Sequence, residues 1–420
     1  MTRAPGPNAE PAAGMQIAPV PRISIQAFCE TQATASAINR AGMDRRMNKT
    51  HLKVNMGGAS AAIEAYRSSP TPNLVVLEGN GDRALLLGQL EELSEFCDPG
   101  TKVIIIGPNN DIELYRELIG LGVSDYMHTP VDVIAFVASV SKAFVQTKGN
   151  SLGKVIAVLG AKGGVGASTI AHNMAWGITT LYTAPAVLVD FDLSFGTSGL
   201  NFNQDPPMTL SDALASAEGL DAQGLEKILF KCSEMLSIVA ASAMLEKTWD
   251  LNESAFDPII DLLRQSTPNV VLDLPHVWTG WLKSVALGAD EIIIVTSPDL
   301  ANLRNCKNLL DVMRIGRPND SQPKIVLNMV GTPKRPEISP GDFTNAIGVD
   351  PTAIIPFDAK LFGASANNGQ MLHETDPSSK INETISDIIR SVMNKAEPAR
   401  HAKKSILAPL TALLGRAKAS

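Results

Sequence analysis

The sequence predicts two doubly wound α/β units, each built on a parallel sheet, and three observations carry that expectation. At 420 residues the chain exceeds one ordinary hydrophobic core, so two or three domains are expected. From Arg22 onward, short β-branched runs alternate with helical stretches, the pattern of strand–helix–strand crossovers. In the later part those runs are apolar without alternation, as strands covered on both faces must be. Hydrophobic residues at 45% and charged residues at 19% fit a soluble globular protein and exclude a disordered or fibrous one.

Residues 1–21, "MTRAPGPNAEPAAGMQIAPVP", carry many prolines and no apolar core, so a disordered tail is expected there and not a signal peptide. "RISIQAF", "NLVVLEG", "KVIIIG" and "SDYMHTP" supply strands of a first unit over 22–147, with "ASAAIEAYRSS" and "DIELYRELIGLG" among its helices. "QTKGNSLGK" reads as a break, which makes 148–153 a linker. A second unit over 154–395 draws its strands from "KVIAVLG", "AVLVDFD", "NVVLDLP", "EIIIVTS" and "KIVLNMV". It closes on "INETISDIIRSVM", where Ile381, Ile385, Ile388, Ile389 and Val392 share one helical face. No apolar run approaches the roughly 18 residues that a bilayer requires. The four cysteines lie far apart with no CxxC pair, so neither a zinc site nor a disulfide framework is indicated, and a cytoplasmic setting is expected. A net charge of −7 and 5% aromatics argue against a specific nucleic-acid partner.

The chemistry concentrates in "GAKGGVGASTIAHNMA", residues 160–175. A strand, a glycine loop and a helix in that order form a cradle for phosphate. Gly163, Gly164 and Gly166, with Val165 between them, let backbone N–H groups turn toward an anion. The helix starting near Ser168 adds its positive end. Ser168 offers the hydroxyl that a Mg²⁺ ion needs, and Thr169 follows it. The competing reading is a glycine-rich turn without a ligand.

"KGGVGAST" resembles the deviant phosphate loop "KGGxGK[ST]T" of the ParA/MinD ATPases. The resemblance implies ATP and Mg²⁺ as ligands, and a homodimer in which the signature lysine, here Lys162, reaches the partner's nucleotide. The second lysine of that motif is replaced by Ala167. Losing one charge-assisted contact costs about 1.5–3 kcal/mol, roughly ten- to hundredfold in affinity. Binding survives such a loss at millimolar nucleotide, whereas fast hydrolysis is not expected. "VLVDFDLSFGTSG" resembles switch I, which implies Asp192 for positioning the attacking water and Asp190 for the metal or its water shell. "NVVLDLPH" resembles the strand end whose carboxylate, here Asp273, holds the metal through water. Val277 stands where switch II carries a glycine. "VLNMV" and "IPFDAKLFGASANNGQML" resemble the segments that edge the adenine, which implies Asn328, Pro356 and Asp358. His172 and His276 are read as structural, since nothing in the sequence pairs them into a base or metal set.

"SPTPNLVVLEGNG" and "LIGLGVSDYMHTPVD" resemble the response-regulator receiver domain, which implies a flavodoxin-type sheet. Glu78 stands at the phosphoryl-acceptor position, Thr129 at the lysine position, and "ISIQAFCE" offers no acidic pair. The first unit is therefore expected to bind without phosphotransfer, the alternative being an unrelated doubly wound domain. A receiver-like unit ahead of a ParA/MinD-like ATPase resembles the CpaE/TadZ family of Tad (Flp) pilus assembly. The family implies a localisation factor at the cell pole, peripheral to the inner membrane, with the pilus assembly ATPase and other Tad secretion components as partners. An active positioning ATPase on membrane or chromosome, and a phosphorylation-responsive regulator, are the other readings. Ala167 counts against the former and the missing receiver triad against the latter. In residues 396–420 a short apolar stripe flanked by Arg400, Lys403, Lys404, Arg416 and Lys418 makes membrane contact through 400–418 a further expectation.

Overall fold

The computed structural model describes residues 17–79, 82–144, 152–215, 221–242, 245–246 and 248–393. The tail expectations over 1–16 and 394–420, and most of the 148–153 linker, lie outside the described residues.

The first sheet contains β1 (Ser24–Cys29), β2 (His51–Met56), β3 (Leu74–Glu78), β4 (Lys102–Gly107) and β5 (Asp125–His128). Their order is β2-β1-β3-β4-β5 and every pairing is parallel, the flavodoxin-type arrangement. Five helices separate or follow the strands: α1 (Gln32–Gly42), α2 (Gly58–Tyr66), α3 (Arg83–Ser94), α4 (Ile112–Gly120) and α5 (Val133–Phe144). Capping side chains fix where several of them start. Thr31, Asp82 and Asp111 accept from Thr34 N, Leu85 N and Glu113 N at the first turns of α1, α3 and α4. β2 is not among the expected strands. It is an edge strand of mixed polarity whose residues are nowhere fully buried, so it lacks the apolar run that marks the inner strands.

The second sheet holds β6 (Lys154–Gly160), β7 (Ala186–Asp190), β8 (Phe230–Lys231), β9 (Leu236–Val239), β10 (Asn269–Leu274), β11 (Glu291–Thr296), β12 (Lys324–Val330) and β13 (Ala353–Pro356). Its order is β13-β12-β11-β6-β10-β7-β9-β8, parallel except for the terminal β8–β9 pair. β8, β9 and β13 were not anticipated, being two to four residues long at the margins of the sheet. β10 and β11 are buried at every position. One face packs on Phe191, Phe256 and Trp281. The other carries α6 (Ala167–Leu181) and the closing helix Lys380–Met393. That helix buries the five residues expected from its periodicity. At Gly177 of α6 a Cβ would lie 2.4 Å from Ile389 Cδ1, so a larger residue there requires the Ile389 side chain to move.

The two sheets are joined by charges withdrawn from water. Arg45, in the turn before β2, bonds Asp320 Oδ2 at 2.7 Å, Asp290 Oδ1 at 3.2 Å and the Gly288 carbonyl at 2.9 Å. Arg46 reaches Asp320 as well, and Asn319 Nδ2 donates to Asp44 at 3.0 Å. Arg264 and Arg317 complete the set from the second unit. Burial alone would raise the Asp320 carboxyl, but Arg45 and Arg317 hold it below the ordinary aspartate range. Asp290 and Asp320 precede β11 and β12. The first unit therefore docks on the edge where these parallel strands begin, opposite the edge that carries the glycine loop.

Candidate functional site

The loop between β6 and α6 turns at Gly164, φ +79°, and Gly166, φ +87°, conformations that glycine alone adopts without strain. Four contacts hold it. Ala161 N donates to Val295 O at 2.8 Å and Asn305 Nδ2 to Ala161 O at 2.9 Å. His276 Nδ1 lies 3.2 Å from Gly160 O, and Asn328 Nδ2 donates to Val165 O at 2.8 Å. A Cβ on Gly166 would stand 2.7 Å from that Asn328 nitrogen, so the glycine is required for loop and amide to meet. The approach of Asn328 has its own local cause. Pairing between β12 and β13 shifts register between Leu327 and Val330, and Met329 sits at φ +58°. Such a bulge re-aims the side chains beside it.

The loop opens on a cavity of about 430 Å³ lined by Lys162 through Thr169 together with Asp192, Asp273, His276 and Met329. That volume falls within the range of small-molecule and cofactor sites. Lys162 is exposed, and Ser168 and Thr169 are half-buried in the first turn of α6. Burial would raise the Asp299 carboxyl, but bonds from Asn302 and Ser297, with a smaller share from the Lys162 charge, hold it low. Ala167 is the first residue of α6 and presents a methyl group where the related loop carries an ammonium.

Asp190 and Asp273 are register partners on adjacent strands, which brings two buried carboxylates side by side. Asp190 accepts from the backbone N–H groups of Asp192 and Ser198, each at 3.1 Å. Burial, then the neighbouring Asp273, pushes its carboxyl up to about 6. Gly196 allows the loop to fold over it, since a Cβ there would lie 2.5 Å from Asp190 Oδ2. Asp192 is half-buried and accepts from Phe195 N at 2.9 Å. Asp273 Oδ2 meets His172 Nε2 at 3.1 Å, while its Oδ1 is buried without a hydrogen-bond partner among the described residues.

Most of the sequence-derived residues converge here, and three are placed differently from the rest. Asn328 is 3% exposed and lies beneath the loop with its amide nitrogen committed to Val165. Pro356 ends β13 at the rim, and Asp358 caps the next helix by accepting from Leu361 N at 2.9 Å. His172, read as structural because nothing in the sequence pairs it, does have partners in the fold. Its ring joins Asp273 and takes Asn201 Nδ2 at 2.9 Å on its other nitrogen. One signal for this was available: Ser168 and His172 are four apart and share a face of α6. The residues present fit Mg²⁺ with nucleotide phosphate: a glycine-dependent backbone cradle, a hydroxyl at a helix start, and a buried carboxylate oxygen that lacks a partner.

Comparison with known proteins agrees with this architecture. No family model matches the chain. A pilus assembly protein CpaE from Caulobacter crescentus is 40% identical and is covered over 100% of its length by 31% of this chain, with a TM-score of 0.30. The septum site-determining protein MinD of Synechocystis is 26% identical over 234 residues, 53% of this chain and 82% of that protein. MinD complexed with Mg-ADP from Pyrococcus horikoshii is 21% identical, over 57% of this chain and 96% of that one, with a TM-score of 0.50, and shows the same fold.

Proposed function

The chain belongs to the CpaE family of pilus assembly proteins, and from that premise we propose an ATP-binding localisation and assembly factor for a Tad-type pilus secretion system. In this reading ATP with Mg²⁺ occupies the loop cavity, the protein dimerises with nucleotide, and the dimer recruits pilus components at the cell pole. The observation that carries it is a complete glycine cradle with Ala167 in place of the phosphate-binding lysine: nucleotide is held, and turnover is slow.

The residues divide the work by position. Backbone from Gly163 to Thr169 faces the phosphates, and Ser168 with Asp190 and Asp273 would hold the Mg²⁺ that supplies charge neutralisation when bound. Asp192 orients water, and Lys162, free at the loop's outer edge, reaches the partner's nucleotide. The base would lie toward Met329 and Pro356, with Asn328 and Asp358 fixing the segments beside it. Phe195, Leu200, Val277, Trp278 and Leu300 are large apolar side chains left exposed on segments that follow the carboxyl ends of the strands, the same edge as Lys162. An exposed apolar set around the loop supports self-association of that face. The pilus assembly ATPase and other Tad components are the partners in this reading, with the chain working in the cytoplasm close to the inner membrane. Among the described residues no helix is long and apolar enough to cross a membrane.

Retention of both Lys162 and Asp192 favours one second reading, an active positioning ATPase on membrane or chromosome. Turnover of ATP with and without Mg²⁺ separates the two. The proposed reading expects saturable binding with turnover far below the typical enzyme rates of about 1 s⁻¹ and above, and absence of saturable ATP binding would refute both.

A further inference from the structure

We propose that, in the nucleotide-free protein, His172, Asp190 and Asp273 form a direct three-ligand site for a borderline divalent cation of the zinc class, which competes for the same two carboxylates that would hold Mg²⁺ beside nucleotide. One ligand atom from each residue lies within 4.8 Å of the other two, and all three residues are buried. In a tetrahedral site two ligands about 2.1 Å from a shared ion stand about 3.4 Å apart, so binding draws a pair at the 4.8 Å limit together by about 1.4 Å. The site also contains an incomplete group: Asp273 Oδ1, on a residue 4% exposed, has no hydrogen-bond partner among the described residues. Leaving such an oxygen unpaired is costly, and a cation offsets the cost. No lysine or arginine of the described residues is recorded within ion-pair distance of either carboxylate, the imidazole being the nitrogen partner.

The ligand set selects the ion. Mg²⁺ favours six oxygens and keeps its waters, whereas one imidazole with two carboxylates suits Zn²⁺, with the fourth position open. That open side has a route in, because Asp273 lines the loop cavity. The surroundings can serve the metallated ring. In the ion-free arrangement Asn201 Nδ2 points at His172 Nδ1, so Nε2 carries the proton toward Asp273. Coordination through Nε2 moves that proton to Nδ1. Turning the Asn201 amide over then presents its oxygen to Nδ1–H, and the Thr197 hydroxyl, 3.2 Å from the same amide atom, can donate as readily as it accepts.

The test uses the full chain, stripped of metal by chelator and free of nucleotide, so its outcome is independent of the ATP reading. Zn²⁺ is titrated against a chromophoric chelator, and Co²⁺ is added as a spectroscopic substitute. One equivalent should bind, Co²⁺ should give the intense visible bands of a four-coordinate site, and Mg²⁺ in large excess should not displace it. His172→Gln should abolish that equivalent. Asn201→Ala, at a half-exposed position that leaves the fold intact, should weaken it ten- to hundredfold. Absence of a stoichiometric Zn²⁺ equivalent, displacement by Mg²⁺, or binding unchanged in both variants would overturn the proposal.

Discussion

At Ala167 a methyl group occupies the place of an ammonium, so the loop relies on backbone dipoles and on a lysine at its far edge. Ala167→Lys should tighten ATP binding roughly ten- to hundredfold, the reverse of the cost of one charge-assisted contact, and calorimetric titration would measure it. An unchanged affinity would show that Lys162 already neutralises the phosphates. Glu78 makes the opposite case, a side chain with every bond spoken for. It accepts from Glu30 N, Thr31 N, Thr31 Oγ1 and Thr34 Oγ1 at 2.6 to 2.8 Å. Burial would raise its carboxyl, but those four donors, the Thr34 hydroxyl foremost, hold it below the ordinary glutamate range. A depressed carboxylate stabilises the fold above its unfolded value and loses that contribution as pH falls through the folded one. Melting temperature should therefore be flat near neutrality and drop below about pH 4. Glu78→Gln, which turns an amide donor toward other donors, should cost about 1–3 kcal/mol and weaken the acid dependence. Small phosphodonors should leave no acid-labile phosphate on the wild type, because the acceptor position is already saturated.

At the scale of elements, the closing helix is a direct test of the core. Ile388 is fully buried against α6 and the sheet, so Ile388→Ala should cost about 2–5 kcal/mol in denaturant unfolding. Its face was legible because apolar residues at helical spacing leave little choice of orientation, and the inner strands were legible because burial on both faces demands unbroken apolar runs. Edge strands escaped for the converse reason: His51–Met56 and Phe230–Lys231 are partly exposed and carry no such run. In the site, glycines, hydroxyl and carboxylates could be read from motif order. The contacts between them could not, since the Met329 bulge and the placement of His172 beside Asp273 depend on register between strands distant in sequence.

For the whole molecule, the charged seam between the sheets has a consequence for function. Arg45 is 5% exposed in its side chain and serves Asp290 and Asp320 together. Arg45→Ala takes one shared cation from two buried carboxylates, leaving Arg264 with Asp290 and Arg46 and Arg317 with Asp320. It should destabilise the chain by about 1.5–3 kcal/mol in denaturant unfolding, whereas Lys49→Ala, at a half-exposed pair, should cost at most about 1 kcal/mol. Removing residues 1–147 outright would uncover that seam, so point substitutions on the free face of the first unit are the better probe of partner recruitment. Because the first unit docks at the edge opposite the loop, it leaves the loop face open to a second copy and would sit at the two outer ends of a face-to-face dimer. Nucleotide is expected to drive this dimer, and light scattering reads the solution mass with and without saturating ATP–Mg²⁺. The mass should shift from the 44.6 kDa monomer toward twice that value, and Lys162→Ala should abolish the shift. A mass unmoved by saturating ATP, or a shift that Lys162→Ala leaves intact, would contradict nucleotide-driven dimerisation.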